Sequence, residues 1–134
     1  MVKASDSRSS TTEERDPDNP LSMGQMAVLG ALAPEVLWIE AEGFPHGGTY
    51  TGPDAVLHNV LMPLAAEWER FTVLPQEFVA EAATVVVLGD YRGTWKATGK
   101  SFSAPFVHVW KLRDGKVTMF RQHTDTAMVQ QAMH

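Results

Sequence analysis

One carboxylate stands where acid–base chemistry could occur. Glu40 directly follows the apolar run from Val36 to Ile39. A carboxylate at the mouth of an apolar pocket has its pKa raised by desolvation, toward the range where it can accept and return a proton near neutral pH. The alternative is an exposed acid at a strand end, paired with a Lys or Arg. Glu40 is therefore a candidate general base.

A histidine within an aromatic strand is the second candidate. Alternate residues of a strand share a face, so His108 lies on the same face as Phe102, Phe106, Trp110 and Leu112. These bulky side chains predict an interior face, with Val107 and Val109 on the outer one. An imidazole there can donate a hydrogen bond or move a proton. The alternative is a core histidine satisfied by a neighbouring hydroxyl or by water.

Further polar and aromatic residues could complete a pocket. The large rings expected around the interior are those of Trp38, Tyr91, Trp95 and Trp110, and most such rings are simply core. Together with Glu40, His108 and Gln122 they would fit a small, mostly apolar molecule with one or two polar atoms. His46 and Tyr50 lie on a glycine-rich loop that could act as a lid and line the entrance. His46 could equally be a plain exposed side chain.

Several kinds of site are excluded by what the sequence lacks. It has no Cys, which rules out disulfides, thiolate metal sites and Cys nucleophiles. No two His stand at ligand spacing, so no metal site is expected, and no phosphate-binding loop or Gly-x-Ser-x-Gly elbow is present. No cofactor is therefore expected. The net charge of −5 argues against binding to nucleic acid or to an anionic membrane surface.

The length and composition predict one domain behind a polar arm. The chain has 134 residues, of which 44% are hydrophobic and 20% charged. Residues 1–20 are rich in Ser, Thr and charge and should form a flexible arm, whereas residues 21–134 should form the domain. No signal peptide and no apolar run of membrane-spanning length is evident, so a cytoplasmic location is the default expectation.

Hydrophobic periodicity predicts the elements that position these residues. Helices are expected over Leu21–Ala33 and Pro53–Arg70, the second kinked or split at Pro63, with a strand over Val36–Ala41 between them. Four strands should follow, over Phe71–Ala82, Thr84–Thr98, Ser101–Arg113 and Lys116–Thr124. Asp125 to His134 should form a short helix or an ordered tail. Helices followed by an antiparallel meander predict an α+β domain.

Several runs of this sequence resemble a known family. They are Leu37–Glu40, Gly48–Val56, Val85–Thr94, Thr98–Lys100, Phe106–Val117 and Phe120–Thr126. Over about Leu21 to Met128 the chain resembles a SnoaL-like domain of the nuclear-transport-factor-2-like superfamily, which includes ketosteroid isomerases, polyketide cyclases, epoxide hydrolases and many non-enzymatic binders. The resemblance implies a cone-shaped α+β barrel, in which helices close a curved antiparallel sheet around a pocket, and usually a homodimer.

The resemblance also assigns roles to individual positions. It implies that Glu40 matches the general-base Asp of ketosteroid isomerases and that His108 stands where they keep a protonated oxyanion-hole Asp. It places Phe120 and Gln122 on the inner face of the last strand. Asp125 either joins the site or, as we favour, caps the terminal helix. The oxyanion-binding Tyr that ketosteroid isomerases carry on an earlier helix has no counterpart expected here.

Three functions fit these expectations. The first is a cofactor-free acid–base enzyme, such as an isomerase, cyclase or hydratase, with Glu40 as base and His108 as polarising group. The second is a binding module that uses the same pocket without chemistry. The third is a dimeric scaffold with a filled pocket. An epoxide hydrolase would need an Asp-Arg-Asp cluster, but Arg92, Arg113 and Arg121 are expected to face outward. A homodimer through the outer sheet face is expected.

Overall fold

The structure is a computed structural model that describes residues 20–134. The predicted arm therefore lies, apart from Pro20, outside the described residues. The first helix, α1, spans Met23–Ala31. It begins at Ser22, whose side chain accepts a hydrogen bond from the backbone N–H of Gln25, while the Gln25 side chain accepts one from the backbone N–H of Ser22. This reciprocal capping box fixes the start of α1 two residues after the predicted start.

Strand β1 spans Leu32–Glu40 and begins earlier than expected, because Leu32 and Ala33 leave the helix. Leu32 has an extended backbone with φ −77° and ψ 136°. Ala33 precedes Pro34, a position that disfavours helical geometry, and this accounts for the early end of α1. A short strand that the sequence analysis did not predict, β2 over Gly48–Thr51, pairs antiparallel with β1.

The second helical region is interrupted, as the position of Pro63 predicts. It consists of α2 over Pro53–Val56, a π-helical segment over Leu57–Leu61, and α3 over Met62–Glu67. Pro63 lies in the first turn of α3, where a missing N–H is tolerated. The region ends at Glu67 rather than at the predicted Arg70, because the chain is already extended at Trp68.

Four long strands follow, as predicted: β3 over Trp68–Glu81, β4 over Thr84–Trp95, β5 over Ser101–Arg113 and β6 over Lys116–Thr124. The β5–β6 turn is formed by Asp114 and Gly115, both with positive φ, as a tight hairpin requires. The terminal helix, α4, spans Thr126–Met133. Among residues 20–134, none of the helices combines the length and the hydropathy that a membrane-spanning helix needs.

The sheet is curved and has the order β2-β1-β6-β5-β4-β3. The β3, β4, β5 and β6 strands form an antiparallel meander, but β1 pairs parallel with β6. The sheet is therefore antiparallel, as expected, except for the β1–β6 pair. The sheet is not closed, and the molecule has the cone-shaped α+β architecture that the sequence resemblance implies.

Close packing on β4 positions the interior rings. At Gly89 an added Cβ would lie 2.2 Å from the carbonyl oxygen of Leu74 and 2.8 Å from Cζ of Phe106. A side chain there would displace Phe106, whose ring stacks on both Tyr91 and His108 at centroid distances of 4.5 and 4.2 Å. Gly89 thus allows the aromatic layer to lie directly against the backbone of β4.

Candidate active site

A cavity of about 180 Å³ lies on the inner face of the sheet. Apolar and aromatic side chains from α1, the π-helical segment, α3 and the sheet form most of its wall. Its side chains with polar groups besides the indoles are those of Ser22, Gln25, Glu40, Arg70, Tyr91, His108 and Gln122. Four of these, Glu40, Tyr91, His108 and Gln122, form the group that we call the polar cluster. The arrangement combines an apolar wall with a few polar groups, as ligand sites commonly do.

The carboxylate of Glu40 is buried, with 5% of the residue exposed. It is the last residue of β1 and shares the inner face of that strand with Trp38, whose indole Nε1 donates a hydrogen bond of 2.8 Å to Oε1 of Glu40. Burial raises the pKa of Glu40 to about 7, although the Trp38 hydrogen bond lowers it in part. The carboxyl group can therefore exchange a proton near neutral pH.

Gln122 connects the loop after β1 to the opposite side of the cavity. Its Oε1 accepts a hydrogen bond of 3.0 Å from the backbone N–H of Ala41, the residue that follows Glu40. Its Nε2 donates a hydrogen bond of 3.0 Å to the hydroxyl of Tyr91. Gln122 is opposite His108 in the β5–β6 pairing. One buried amide therefore ties the end of β1, β4 and β6 together around the cavity.

The hydroxyl of Tyr91 bonds to Nε2 of His108. Because Tyr91 already accepts from Gln122, its own proton is satisfied by donation to His108. The network thus assigns the imidazole proton to Nδ1. Burial lowers the pKa of His108 to about 3, so the ring is neutral at pH 7. Burial, followed by the nearby charge of Glu40, raises the pKa of Tyr91 well above its ordinary value.

Glu40 and His108 line the same cavity but do not form a direct pair. Among the described residues, no hydrogen bond joins them, and the pKa of His108 is lowered by burial alone. The charge of Glu40 acts instead on the hydroxyl of Tyr91. No direct contact therefore links the titration of Glu40 to that of His108.

Aromatic rings fix the polar cluster in place. Trp38 stacks on Phe120 at 4.0 Å and lies edge-on to Trp110 at 6.0 Å. Trp110 and Trp68 are buried in the cavity wall, and neither indole N–H has a hydrogen-bond acceptor among the described residues. The wall therefore contains two buried donors that are unpaired within residues 20–134.

Four of the predicted site residues lie outside this cavity. Trp95 packs against Trp68 at a centroid distance of 4.7 Å but does not line the cavity. Tyr50 points to the loop, where its hydroxyl donates a hydrogen bond of 2.7 Å to the carbonyl oxygen of His46. His46 itself is exposed and bonds to Glu67. Asp125 accepts a hydrogen bond from the backbone N–H of Met128 and caps α4, the role favoured for it.

The structure adds wall residues that the sequence analysis did not single out. Phe44, the apolar residue in the middle of the glycine-rich loop, is 4% exposed and lies against Phe71 and Tyr91, with centroids 6.0 Å apart in each pair. The sequence signal that could have identified Phe44 as a wall residue was its position as a lone aromatic residue among glycines. Arg70 and Phe78 of β3 also line the cavity, although both are exposed. Periodicity hides Phe78 because a β-bulge between Pro75 and Glu77 interrupts β3 and places Phe78 opposite Val87.

The side chains of residues 20–134 bring no three His, Cys, Asp or Glu together in a way that could hold a metal ion. The groups of the cavity can transfer protons. Glu40 is the titrating group, and the neutral His108, whose Nδ1 carries a proton, is a hydrogen-bond donor.

Solved structures share this architecture. A nuclear-transport-factor-2-like protein from Burkholderia thailandensis is 35% identical, with a TM-score of 0.80 over 99% of this chain and 95% of that chain. TerC, co-crystallised with polyporic acid, is 27% identical, with a TM-score of 0.72 over 81% of this chain and 84% of that one. A candidate SnoaL-like polyketide cyclase from Jannaschia sp. CCS1 is 20% identical, with a TM-score of 0.71 over 82% and 78% of the two chains, which shows a shared fold.

Among proteins with curated functions, none matches the sequence. The SnoaL-like domain family matches residues 25–120, which include most of the cavity wall and leave Ser22, Gly24 and Gln122 just outside the matched region. With the family match and the 35% identical relative, the sequence resemblance is confirmed. The chain belongs to the SnoaL-like domain family, within the nuclear-transport-factor-2-like superfamily.

Proposed function

We propose that this protein is a cofactor-independent acid–base enzyme that moves a proton on a small, mostly apolar molecule. The observation that carries the proposal is the buried Glu40 carboxyl, whose pKa of about 7 suits it to accept and return a proton. Support comes from relatives described as SnoaL-like cyclases and isomerases, and from TerC, which was crystallised with a small organic ligand.

The proposed step needs only groups that line the cavity. Glu40 in its carboxylate form takes a proton from a carbon next to a carbonyl. The electron pair of the broken C–H bond forms a C=C bond, and the π pair of the carbonyl moves onto its oxygen. The N–H of His108 at Nδ1 donates to that oxygen as it becomes negative. Return of the proton from Glu40 to the same or another carbon completes exchange or isomerisation, so that no other reactant is consumed.

The polar cluster suits this division of roles. Tyr91 and Gln122 hold His108 in one tautomer through hydrogen bonds on its Nε2 side. Trp38 holds the Glu40 carboxyl from the other end. The alternative function, ligand binding without chemistry, uses the same apolar wall and differs in leaving Glu40 without a proton-transfer role.

The test uses 2-tetralone, a bicyclic ketone with acidic C–H bonds next to its single carbonyl. We expect the protein to accelerate exchange of these hydrogens for deuterium in D₂O, as followed by proton NMR. The rate should rise with pH through a midpoint near 7 as Glu40 loses its proton. Glu40→Gln should lower the protein-dependent rate by about 10²-fold or more, the usual contribution of a general base.

Glu81→Gln is the matched control, because Glu81 is exposed at the end of β3 and does not line the cavity. This variant should exchange 2-tetralone at the wild-type rate. If wild type binds 2-tetralone in NMR titrations without accelerating exchange, or if Glu40→Gln exchanges as fast as wild type, the enzyme proposal is wrong. The binding-module function would then replace it.

A further inference from the structure

We infer that Phe78 of β3 is a specificity-determining residue, whose ring packs against the far end of an elongated apolar ligand while the other end of the ligand lies at the polar cluster. This inference rests on the proposed function only in placing the carbonyl group of the ligand at His108. Phe78 then selects for ligand length, because a ligand must extend across the sheet to reach it.

One row of paired residues crosses the inner face of the sheet from the polar cluster to Phe78. Gln122 is opposite His108 in the β5–β6 pairing, and His108 is opposite Val87 in the β4–β5 pairing. Val87 is in turn opposite Phe78 on β3, the edge strand. Directly opposite residues of an antiparallel pair share a face, and all four of these residues line the cavity. The row therefore leads from two buried polar groups to an aromatic ring at the sheet edge.

A β-bulge puts a ring rather than a carboxylate at the end of this row. Before the bulge, Pro75 is opposite Gly89. Continued alternation would place Glu77 opposite Val87, on the inner face. The pairing instead shifts by one residue between Pro75 and Glu77, so that Phe78 takes this position. Bulges re-aim side chains in this way beside functional sites, and here the result is an apolar end of the cavity.

The bulge is anchored by a side-chain hydrogen bond. Gln76 lies within the shift, and its Nε2 donates a hydrogen bond of 2.9 Å to Oδ2 of Asp90 on β4. Asp90 is opposite Leu74, two residues before Gln76. The bond therefore ties the bulged segment back to β4 and stabilises the register in which Phe78 faces the cavity.

The cavity opens toward β3. Every wall residue that β1, β4, β5 and β6 contribute is buried. On β3, by contrast, every wall residue after Trp68 is half-buried or exposed, and Phe78 is 44% exposed. A ligand that extends along the row thus reaches solvent at Phe78, where its last apolar group removes the surface of the ring from water.

The spacing of the strands sets the length of ligand that reaches Phe78. Neighbouring strands are about 4.8 Å apart, so the backbones at His108 and Phe78, two strands apart, are separated by roughly 10 Å. A ketone whose oxygen accepts a hydrogen bond from Nδ1 of His108 therefore needs an apolar body that passes over Val87. A shorter ketone occupies the polar end of the row and leaves Phe78 uncovered.

The experiment compares two ketones with the same reacting end. They are 2-tetralone and 6-phenyl-2-tetralone, in which a further ring extends the bicycle away from the carbonyl. Dissociation constants are measured by calorimetry at neutral pH. Phe78→Ala should weaken binding of 6-phenyl-2-tetralone by about two- to tenfold, the contribution of one aromatic pair, and leave the affinity for 2-tetralone unchanged. Phe78→Tyr keeps the ring and should bind both ketones as wild type does.

Glu77→Ala is the matched control, because Glu77 is exposed beside Phe78 and does not line the cavity. It should bind both ketones with wild-type affinity. In wild type, nuclear Overhauser effects should join the terminal ring of the long ketone to Phe78, and its bicyclic part to the methyl groups of Val87. Circular dichroism should show that the variants are folded, and Phe78→Leu, which also removes the ring, replaces Phe78→Ala if that variant does not fold.

Four results would overturn the inference. They are an equal loss of affinity for both ketones on removal of the ring, no loss for either, Overhauser contacts of the terminal ring with Phe44 instead of Phe78, and failure of wild type to bind the long ketone. These measurements involve no turnover. A failure of 2-tetralone exchange would therefore refute the enzyme proposal and leave the role of Phe78 in binding intact.

Discussion

The indole nitrogen of Trp38 donates a 2.8 Å hydrogen bond to the carboxylate of Glu40, two residues along the same strand. This bond favours the charged form of the carboxyl and lowers its pKa against the larger effect of burial. The strand period of two places both side chains on the inner face. The pKa of Glu40 thus depends on its own strand as well as on the cavity.

Replacing Trp38 with Phe should raise the pKa of Glu40 above its value of about 7, because the ring is kept while the donor is lost. Carbon-13 NMR of glutamate-labelled protein would follow the carboxyl resonance through the titration. Trp95→Phe is the matched control, since Trp95 lies outside the cavity wall. An unchanged or lowered midpoint in Trp38→Phe would contradict the role assigned to the indole.

The ionisation of Glu40 should make the protein less stable as the pH rises from about 4.5 to about 7. The unfolded chain loses the proton near the ordinary value of 4.5, whereas the folded protein keeps it until about 7. Each pKa unit between the folded and unfolded states corresponds to about 1.4 kcal/mol. The free energy of unfolding should therefore decrease by about 3 kcal/mol, and the decrease is complete once the pH exceeds the pKa of Glu40 in the folded protein.

The Glu40→Gln variant lacks this ionisation. Between pH 5 and pH 8, the free energy of unfolding in urea should therefore decrease less for Glu40→Gln than for wild type. At pH 8 the variant should be more stable than wild type. Glu81→Gln, exposed at the end of β3, should follow wild type. If both variants track wild type at the two pH values, the carboxyl of Glu40 ionises normally in the folded protein.

His108 should remain neutral from pH 8 to pH 5, with its proton on Nδ1. Burial lowers its pKa from 6.5 to about 3, so the unfolded chain gains this proton first and stability falls as pH drops below about 6.5. Nitrogen-15 NMR of the imidazole reports both charge and tautomer. A protonated ring at pH 5, or a neutral ring with its proton on Nε2, would contradict the network with Tyr91.

The glycine-rich loop should depend on Phe44 for stability and on His46 for local order. Phe44→Ala removes a buried ring next to Tyr91 and should lower the free energy of unfolding in urea by about 3 kcal/mol.

The contact between His46 and Glu67 should add little to stability. His46 Nε2 lies 2.8 and 3.0 Å from the two carboxylate oxygens of Glu67, but both side chains are exposed. Glu67→Gln should therefore lower the free energy of unfolding by less than about 1 kcal/mol.

The same Glu67→Gln variant should speed hydrogen exchange of the loop amides at Phe44 and Gly47, whose partners are carbonyl oxygens within the loop. Amides in the β4–β5 pairing provide the internal control and should keep their protection. If loop exchange is unchanged while the pair is removed, the His46–Glu67 contact does not hold the loop.

Strand alternation was enough to predict that His108, Phe106 and Trp110 share the inner face, because the meander strands are regular around them. The bounds of β5 and β6 follow from the Asp-Gly turn between them, whose two residues require positive φ. Local periodicity and turn chemistry therefore specified most of the sheet that carries the polar cluster.

What the sequence analysis missed depends on contacts between distant segments. The parallel pairing of β1 with β6 is set when α1 and β1 fold back on the meander, and no local pattern encodes it. The bulge between Pro75 and Glu77, which brings Phe78 to the cavity, is a departure from the alternation used for prediction. The Gln122–Tyr91 bond joins residues 31 positions apart. Its partners were predicted as wall residues, but the bond was not.

The outer face of the sheet should form a homodimer interface. Cross-strand pairs place Val79 beside Val86, Val86 beside Val109, and Leu88 beside Val107, which makes a continuous apolar patch on the outer face of β3, β4 and β5. Val79 is 51% exposed. Since monomers seldom leave such patches in water, a second copy is the partner we expect.

Val109→Glu should shift the protein toward monomer in sedimentation velocity, because burying a new carboxylate at the interface is costly. Thr49→Glu introduces the same charge on the exposed strand β2, at the other edge of the sheet, and should sediment as wild type. Circular dichroism should show that both variants are folded. Wild type that sediments as a particle of 14.8 kDa, the mass of one chain, would show that the outer face does not mediate dimerisation.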